Sequence, residues 1–188
     1  MQLGLIVGAL GLTFAGASEI LAGPITLSTW YEFGFDPNHA PLVAGCQPAD
    51  PNGVPCRPGI GSTPLDATPW TITVTSSVSL TLTDAFLPGD YFDLFDFGTL
   101  MGSTPAVPVS GISCGFDPSV CAVTAGVSHG IFSLAAGSHS ITIDVHPAQL
   151  LGEGVFRLDA VPEPATLELL LIACCVAVFV RGKHGPTE

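Results

Sequence analysis

Four aspartates crowd the stretch DAFLPGDYFDLFD: Asp84, Asp90, Asp93 and Asp96. Carboxylate oxygens are hard donors, and this spacing makes them candidate ligands for Ca2+, a common stiffener of loops in sandwich domains. The D-x-D-x-D-G pattern of an EF-hand is not met. The competing reading is structural: Asp84 and Asp90 flank a turn, and Asp93 and Asp96 face water. Two G-x-S-x-G matches, Gly111 to Gly115 and Gly126 to Gly130, place Ser113 and Ser128 where a hydrolase carries its nucleophile. That motif works when the serine sits on a sharp strand-to-helix turn over an α/β sheet. No helical pattern follows either match, so an extracellular hydrolase stays a minor reading and no catalytic residue is assigned. His129, His139 and His146 show no metal-ligand spacing with one another and read as loop or edge histidines. A carboxylate pair for glycoside hydrolysis is defined by a separation of about 5 to 9 Å, which is a property of the tertiary structure.

The six cysteines fall into three pairs. Cys46 and Cys56 lie in a Pro/Gly-rich loop, and Cys114 and Cys121 bracket another. Four cysteines allow three connectivities. Nearest-neighbour pairing, Cys46–Cys56 and Cys114–Cys121, is the expectation, because each bond closes a small loop with little else to pack against. Zinc is the rival, but paired C-x2-C knuckles are missing. Disulfides imply an exported domain. Cys174 and Cys175 lie inside an apolar tail and read as small span residues.

The elements that must position these residues are strands. In WTITVTSSVSLTLTD, Trp70, Ile72, Val74, Val78, Leu80 and Leu82 alternate with Thr and Ser, which predicts one buried and one wet face. Ser76-Ser77 marks a turn or bulge between two strands in phase. Further strands are expected at Tyr91 to Phe95, Thr99 to Ser103, Ile131 to Leu134, Ser140 to Val145 and Gly154 to Asp159. Many short strands separated by turns predict an all-β fold, an antiparallel β-sandwich of jelly-roll-like form. The segment from Asp36 to Pro69 is long for a loop in a compact domain. It is either an insertion tied by a disulfide or an exposed floppy loop.

Charge narrows the partners. The chain of 188 residues has 16 acidic and 4 basic residues, for a net charge of -12. Nucleic-acid binding rests on Lys and Arg releasing counterions, so such a surface excludes it. At 47% hydrophobic residues the chain can still build a core despite its acidity.

Both termini read as addresses. Leu3 to Ala17 is apolar and small, and Ala15-Gly16-Ala17 and Ala22 offer cleavage sites. This predicts a signal peptide over 1–22, exported by the Sec machinery and removed by signal peptidase. The sandwich domain is placed at 23–160. From Ala165 to Val180 the chain is apolar, and as a helix it reaches about 24 Å at about 1.5 Å per residue. The hydrocarbon core of a bilayer is about 30 Å thick, so the predicted single transmembrane helix is short. Arg181 and Lys183 behind it predict a cytoplasmic C-terminus, with the body outside.

Val161-Pro162-Glu163-Pro164-Ala165-Thr166-Leu167, then the apolar run, then Arg181 and Lys183, resembles the PEP-CTERM sorting signal, a tail also labelled as an ice-binding-protein C-terminal domain. The resemblance covers about the last 25 residues, 161–188. It implies that Pro162, Glu163 and Pro164 form the sorting motif. It also implies a Gram-negative source, an exosortase that processes the tail at the inner membrane, and a mature domain at the cell surface or in an exopolysaccharide-containing matrix. VSLTLTDAFLPGDYFDLFDFGTLMGST, LAAGSHSITIDV and GEGVFRL are similar to extracellular domains that often carry such tails, a likeness that brings no activity with it. The resulting expectation is a non-catalytic structural or adhesive surface protein. A calcium-dependent carbohydrate-binding module is the alternative.

Overall fold

The alternation in WTITVTSSVSLTLTD becomes two strands, β3 (Trp70–Val74) and β4 (Val78–Asp84). Trp70, Ile72 and Val74 are buried while Thr71 and Thr73 are exposed. The break at Ser76-Ser77 does more than bend a strand. It carries the chain from one sheet to another, because β3 and β4 belong to different sheets. The computed structural model describes residues 25–162 apart from 58, 110 and 112. The expected signal peptide and transmembrane helix, with Glu163, Pro164, Arg181 and Lys183, lie outside the described residues. Among the described residues no helix is long and apolar enough to cross a membrane.

The remaining elements are β1 (Trp30–Phe35), β2 (Ser62–Pro64), β5 (Tyr91–Asp96), β6 (Thr99–Ser103), β7 (His129–Leu134), β8 (Gly137–His146) and β9 (Gly152–Ala160), with one short helix, α1 (Pro118–Cys121). They form a β-sandwich. One sheet has the order β2-β1-β9-β4-β7 and the other β3-β8-β5-β6. All pairs are antiparallel except β1 with β2. The pairings nest: β5 with β6, β4 with β7, β3 with β8, and β1 with β9. This is the pattern of one long hairpin folded across two layers.

The inner faces meet in an aromatic core. Phe33 stands 5.8 Å from Trp70 and 5.5 Å from Phe92, edge to face with the latter. Trp70 lies 5.1 Å from Phe156. Such rings combine large apolar area with favourable edge contacts. The Trp70 indole is fully buried and donates to the Asp66 carbonyl at 3.0 Å, so its polar atom is satisfied.

Strand β1, WYEFGF, has no alternation to read, because all six residues are buried. Tyr31, Phe33 and Phe35 enter the core. Glu32 and Gly34 face the other way, yet the segment 36–69 covers them. That segment is not floppy. It bonds β1 through Gly34 and Ala44, and β8 through Val43 and Ile143. Its Val43 and Leu65 join the core. It packs flat because position 34 is glycine: a Cβ there would lie 2.8 Å from the Cys56 sulfur.

Candidate functional site

Both disulfides, Cys46–Cys56 and Cys114–Cys121, are formed. Each ties a loop over the outer face of the five-stranded sheet. The first holds Val54, Pro55 and Arg57. The second holds Phe116 and α1, whose Asp117 caps it by accepting from the Ser119 N–H at 2.9 Å. Local bonds join the loops to each other and to the sheet: Ile60 N–H donates to the Phe116 carbonyl at 2.7 Å, and the Trp30 indole N–H to the Ser119 hydroxyl at 3.2 Å.

Between the loops lies a cleft of about 480 Å³ whose lining includes Asp36, Arg57, Leu87, Asp90, Ser113, Phe116, Gln149 and Glu153. Three carboxylates face one guanidinium there, so the cleft favours cationic or hydroxyl-rich ligands over anions. A smaller cavity of about 10 Å³ adjoins these residues, lined among others by Glu32, Glu153, Phe86, Phe116 and Val155.

Glu32 and Glu153 are the buried acids of this face. β1 and β9 are paired with Glu32 opposite Val155 and Gly34 opposite Glu153. The two glutamates are therefore diagonal neighbours on one face, a spacing that long side chains can bridge. Glu32 Oε2 accepts from the Gly59 N–H at 3.1 Å and the Ser62 hydroxyl at 2.5 Å. Glu153 Oε1 accepts from the Arg57 N–H at 2.6 Å. Burial, reinforced by the charge of Glu32, pushes Glu153 up to about 7.

The four aspartates separate. Asp84 and Asp90 are buried together at one end of the sandwich. Asp84 closes the turn between β4 and β5, accepting from the N–H groups of Ala85 at 2.8 Å and of Gly89 and Asp90 at 3.2 Å. Burial and then the neighbouring Asp90 charge push Asp84 up to about 8. Asp90 accepts from the Ala148 N–H at 2.6 Å and is also raised by burial. Asp93 lies on the outer face of the four-stranded sheet, bonded to His146 at 2.8 Å and to the Ser103 hydroxyl. The His146 bond, then Ser103, holds its carboxyl below the usual range. Tyr91 stacks on His146 with centroids 4.3 Å apart. Asp96 accepts from His139 at 2.8 Å and from the Ser140 N–H at 3.0 Å. Asp93 and Asp96 therefore pair with histidines on β8 instead of facing free water.

Among the described residues, only Glu32, Cys46 and Cys56 form a three-residue group with ligand atoms within 4.8 Å of one another. Its sulfurs are spent in the disulfide, and a thiolate is what binds metal.

The serines part as well. Ser128 is fully buried and donates to the Pro105 carbonyl at 2.7 Å. Strand β7 follows it, not a helix. Ser113 lies exposed on the cleft wall, its hydroxyl accepting from the Gly115 N–H at 3.1 Å. His139 is not a loop histidine but a buried residue of β8. His129 and His146 do sit at strand ends.

Glu32, Glu153, Arg57 and Asp36 were not legible as a site from spacing, since β1 and β9, which carry the two glutamates, and the segment that carries Arg57 are distant in the chain. One signal was present: a lone acid inside the aromatic run WYEFGF. Fold and cleft together define an all-β sandwich with an acidic, loop-walled recess. The chain matched no family model, no curated protein and no solved structure.

Proposed function

We propose that this chain is an exported protein of the cell surface or extracellular matrix, sorted by exosortase, whose β-sandwich has a structural or adhesive and non-catalytic role. The observation that carries the reading is the pair of disulfides, Cys46–Cys56 and Cys114–Cys121, which belong to an oxidising compartment. Strand β9 ends at Ala160, two residues before Pro162, so the sandwich leads directly into the sorting motif. The nested strand pairing supports a jelly-roll form for the domain. In this reading signal peptidase removes 1–22 and the apolar tail holds the chain in the inner membrane. Arg181 and Lys183 are then cytoplasmic, and exosortase reads Pro162, Glu163 and Pro164. Deleting Pro162 to Glu188 should change both the location and the C-terminal mass of the mature protein. If neither changes, the sorting reading is wrong.

A second reading, carbohydrate binding, is favoured by the acidic cleft of about 480 Å³. Its carboxylates offer acceptors for sugar hydroxyls, and Phe116 at the rim, 46% exposed, offers a ring face. Exopolysaccharide from the producing organism should be retained by the protein on an affinity gel. Equal mobility with and without polysaccharide would exclude this reading.

A further inference from the structure

The cleft between the disulfide-tied loops gathers more negative charge than the chain can answer. Asp36, Asp90 and Glu153 line it, and Arg57 is the one Lys or Arg on its wall. Among the described residues Arg157 is the other Lys or Arg. It is engaged elsewhere, donating to Asp159 at 2.7 Å and lying 4.7 Å over the Trp30 ring. The bond from His39, 2.6 Å away, holds Asp36 below the usual carboxylate range, so Asp36 is anionic at neutral pH. Asp90 and Glu153 are buried, and burial raises both. A carboxyl is raised in this way when its anion lacks a compensating countercharge. Glu153 Oε1 accepts the Arg57 N–H, while Oε2 has no hydrogen-bond partner.

An aromatic corner completes the cleft. Phe86 and Phe116 both line it and meet edge to face, with centroids 4.7 Å apart. Phe116 is half exposed. An open ring face offers apolar contact to the C–H face of a sugar and attracts ammonium groups. Gln149 and Ser113 add neutral hydrogen-bonding groups to the wall.

We propose that this cleft binds a cationic amino glycan, a hexosamine polymer with free amines, its ammonium groups on the acidic wall and a sugar ring against Phe116. The proposal rests on the carbohydrate-binding reading and names the ligand class for it. An ammonium carries three donors and the countercharge that the wall lacks, and its bonds to carboxylates are of the strong, charge-assisted kind. N-acetylation removes that charge. A uronic-acid glycan would set further carboxylates against an acidic wall and a chain of net charge -12.

The test is calorimetric titration into the full-length protein in detergent, at neutral pH and low salt. The probes are short oligomers of glucosamine, N-acetylglucosamine, galacturonate and lysine, matched in length. The glucosamine oligomer should bind saturably and at least about tenfold more tightly than its acetylated counterpart, and the galacturonate oligomer should not bind. Asp36→Asn and Glu153→Gln should each shrink that preference. Phe116→Ala should weaken both glucosamine probes alike and leave the preference intact. Asp93→Asn, on the opposite sheet, should change nothing. Gln at 153 keeps an acceptor for the Arg57 N–H; if that variant fails to fold, Asp36→Asn and Phe116→Ala decide. Equal affinity for the acetylated oligomer overturns the proposal and leaves glycan binding standing. A lysine oligomer that binds as tightly also overturns it, because charge alone would then select the ligand. Absence of glucosamine binding overturns it too, and retention of exopolysaccharide on the affinity gel then shows that the broader reading survives.

Discussion

His139 and Asp96 meet across the β5–β8 pair, with His139 Nδ1 2.8 Å from Asp96 Oδ2. The other ring nitrogen lies 2.9 Å from the Ala135 carbonyl oxygen. Both neighbours are acceptors, and only the imidazolium form donates to both. Burial opposes the charge, but the bonds to Asp96 and Ala135 prevail, and the His139 pKa is raised above 6.5. A raised folded pKa means that the stabilisation is complete below the unfolded value and is lost as pH rises through the folded one. His139→Gln should cost about 1–3 kcal/mol in mild acid and less in alkali. Denaturant unfolding of both proteins at the two pH values checks this. An equal cost at both would contradict it.

Asp84 sets a wider pH trend. Its folded pKa of about 8 lies above the ordinary 3.8, so the folded chain holds a proton that the unfolded chain releases. Its contribution is complete below 3.8 and declines until pH passes about 8. Asp84→Asn keeps the group neutral but loses an acceptor for the Gly89 and Asp90 N–H groups. The variant should be less stable than wild type in acid, and the gap should close as pH rises towards that value. Melting curves across the range decide it.

Gly154→Ala should destabilise the sandwich by about 1–3 kcal/mol, because overpacking a dense core forces backbone or rings to move. A Cβ at this position would lie 2.4 Å from Phe33 Cζ and 2.9 Å from Phe92 Cζ. A chemical denaturation midpoint equal to wild type would show that the rings yield freely.

Removing the Cys46–Cys56 bond by paired Ser substitution should cost about 2–3 kcal/mol, the loop-closure entropy of a short loop. The sequence separation is 10 residues, against 7 for Cys114–Cys121. The larger consequence is local. The first loop delivers the Arg57 N–H to Glu153 and the Gly59 N–H to Glu32. Hydrogen exchange at these two amides should accelerate in the variant well before the core amides respond.

Period-2 alternation was enough to place β3, β4 and β8 by sequence alone, because each has one face in the core and one more open to solvent. Local cysteine spacing was enough to pair the disulfides. Strand β1 escaped because covering loops bury both its faces, which erases the alternation. β2 is only three residues long, and its partly buried pattern carries no core signal. The crossing at Ser76-Ser77 from one sheet to the other was decided by long-range pairing of β3 with β8 and β4 with β9. The same kind of pairing sent the four aspartates to separate places, two buried at a turn and two to histidines of β8. It also set Glu32 beside Glu153, residues whose proximity depends on the register of β1 against β9. Local spacing determines which residues point the same way along one strand; only the assembled sheets determine which of them share a cavity.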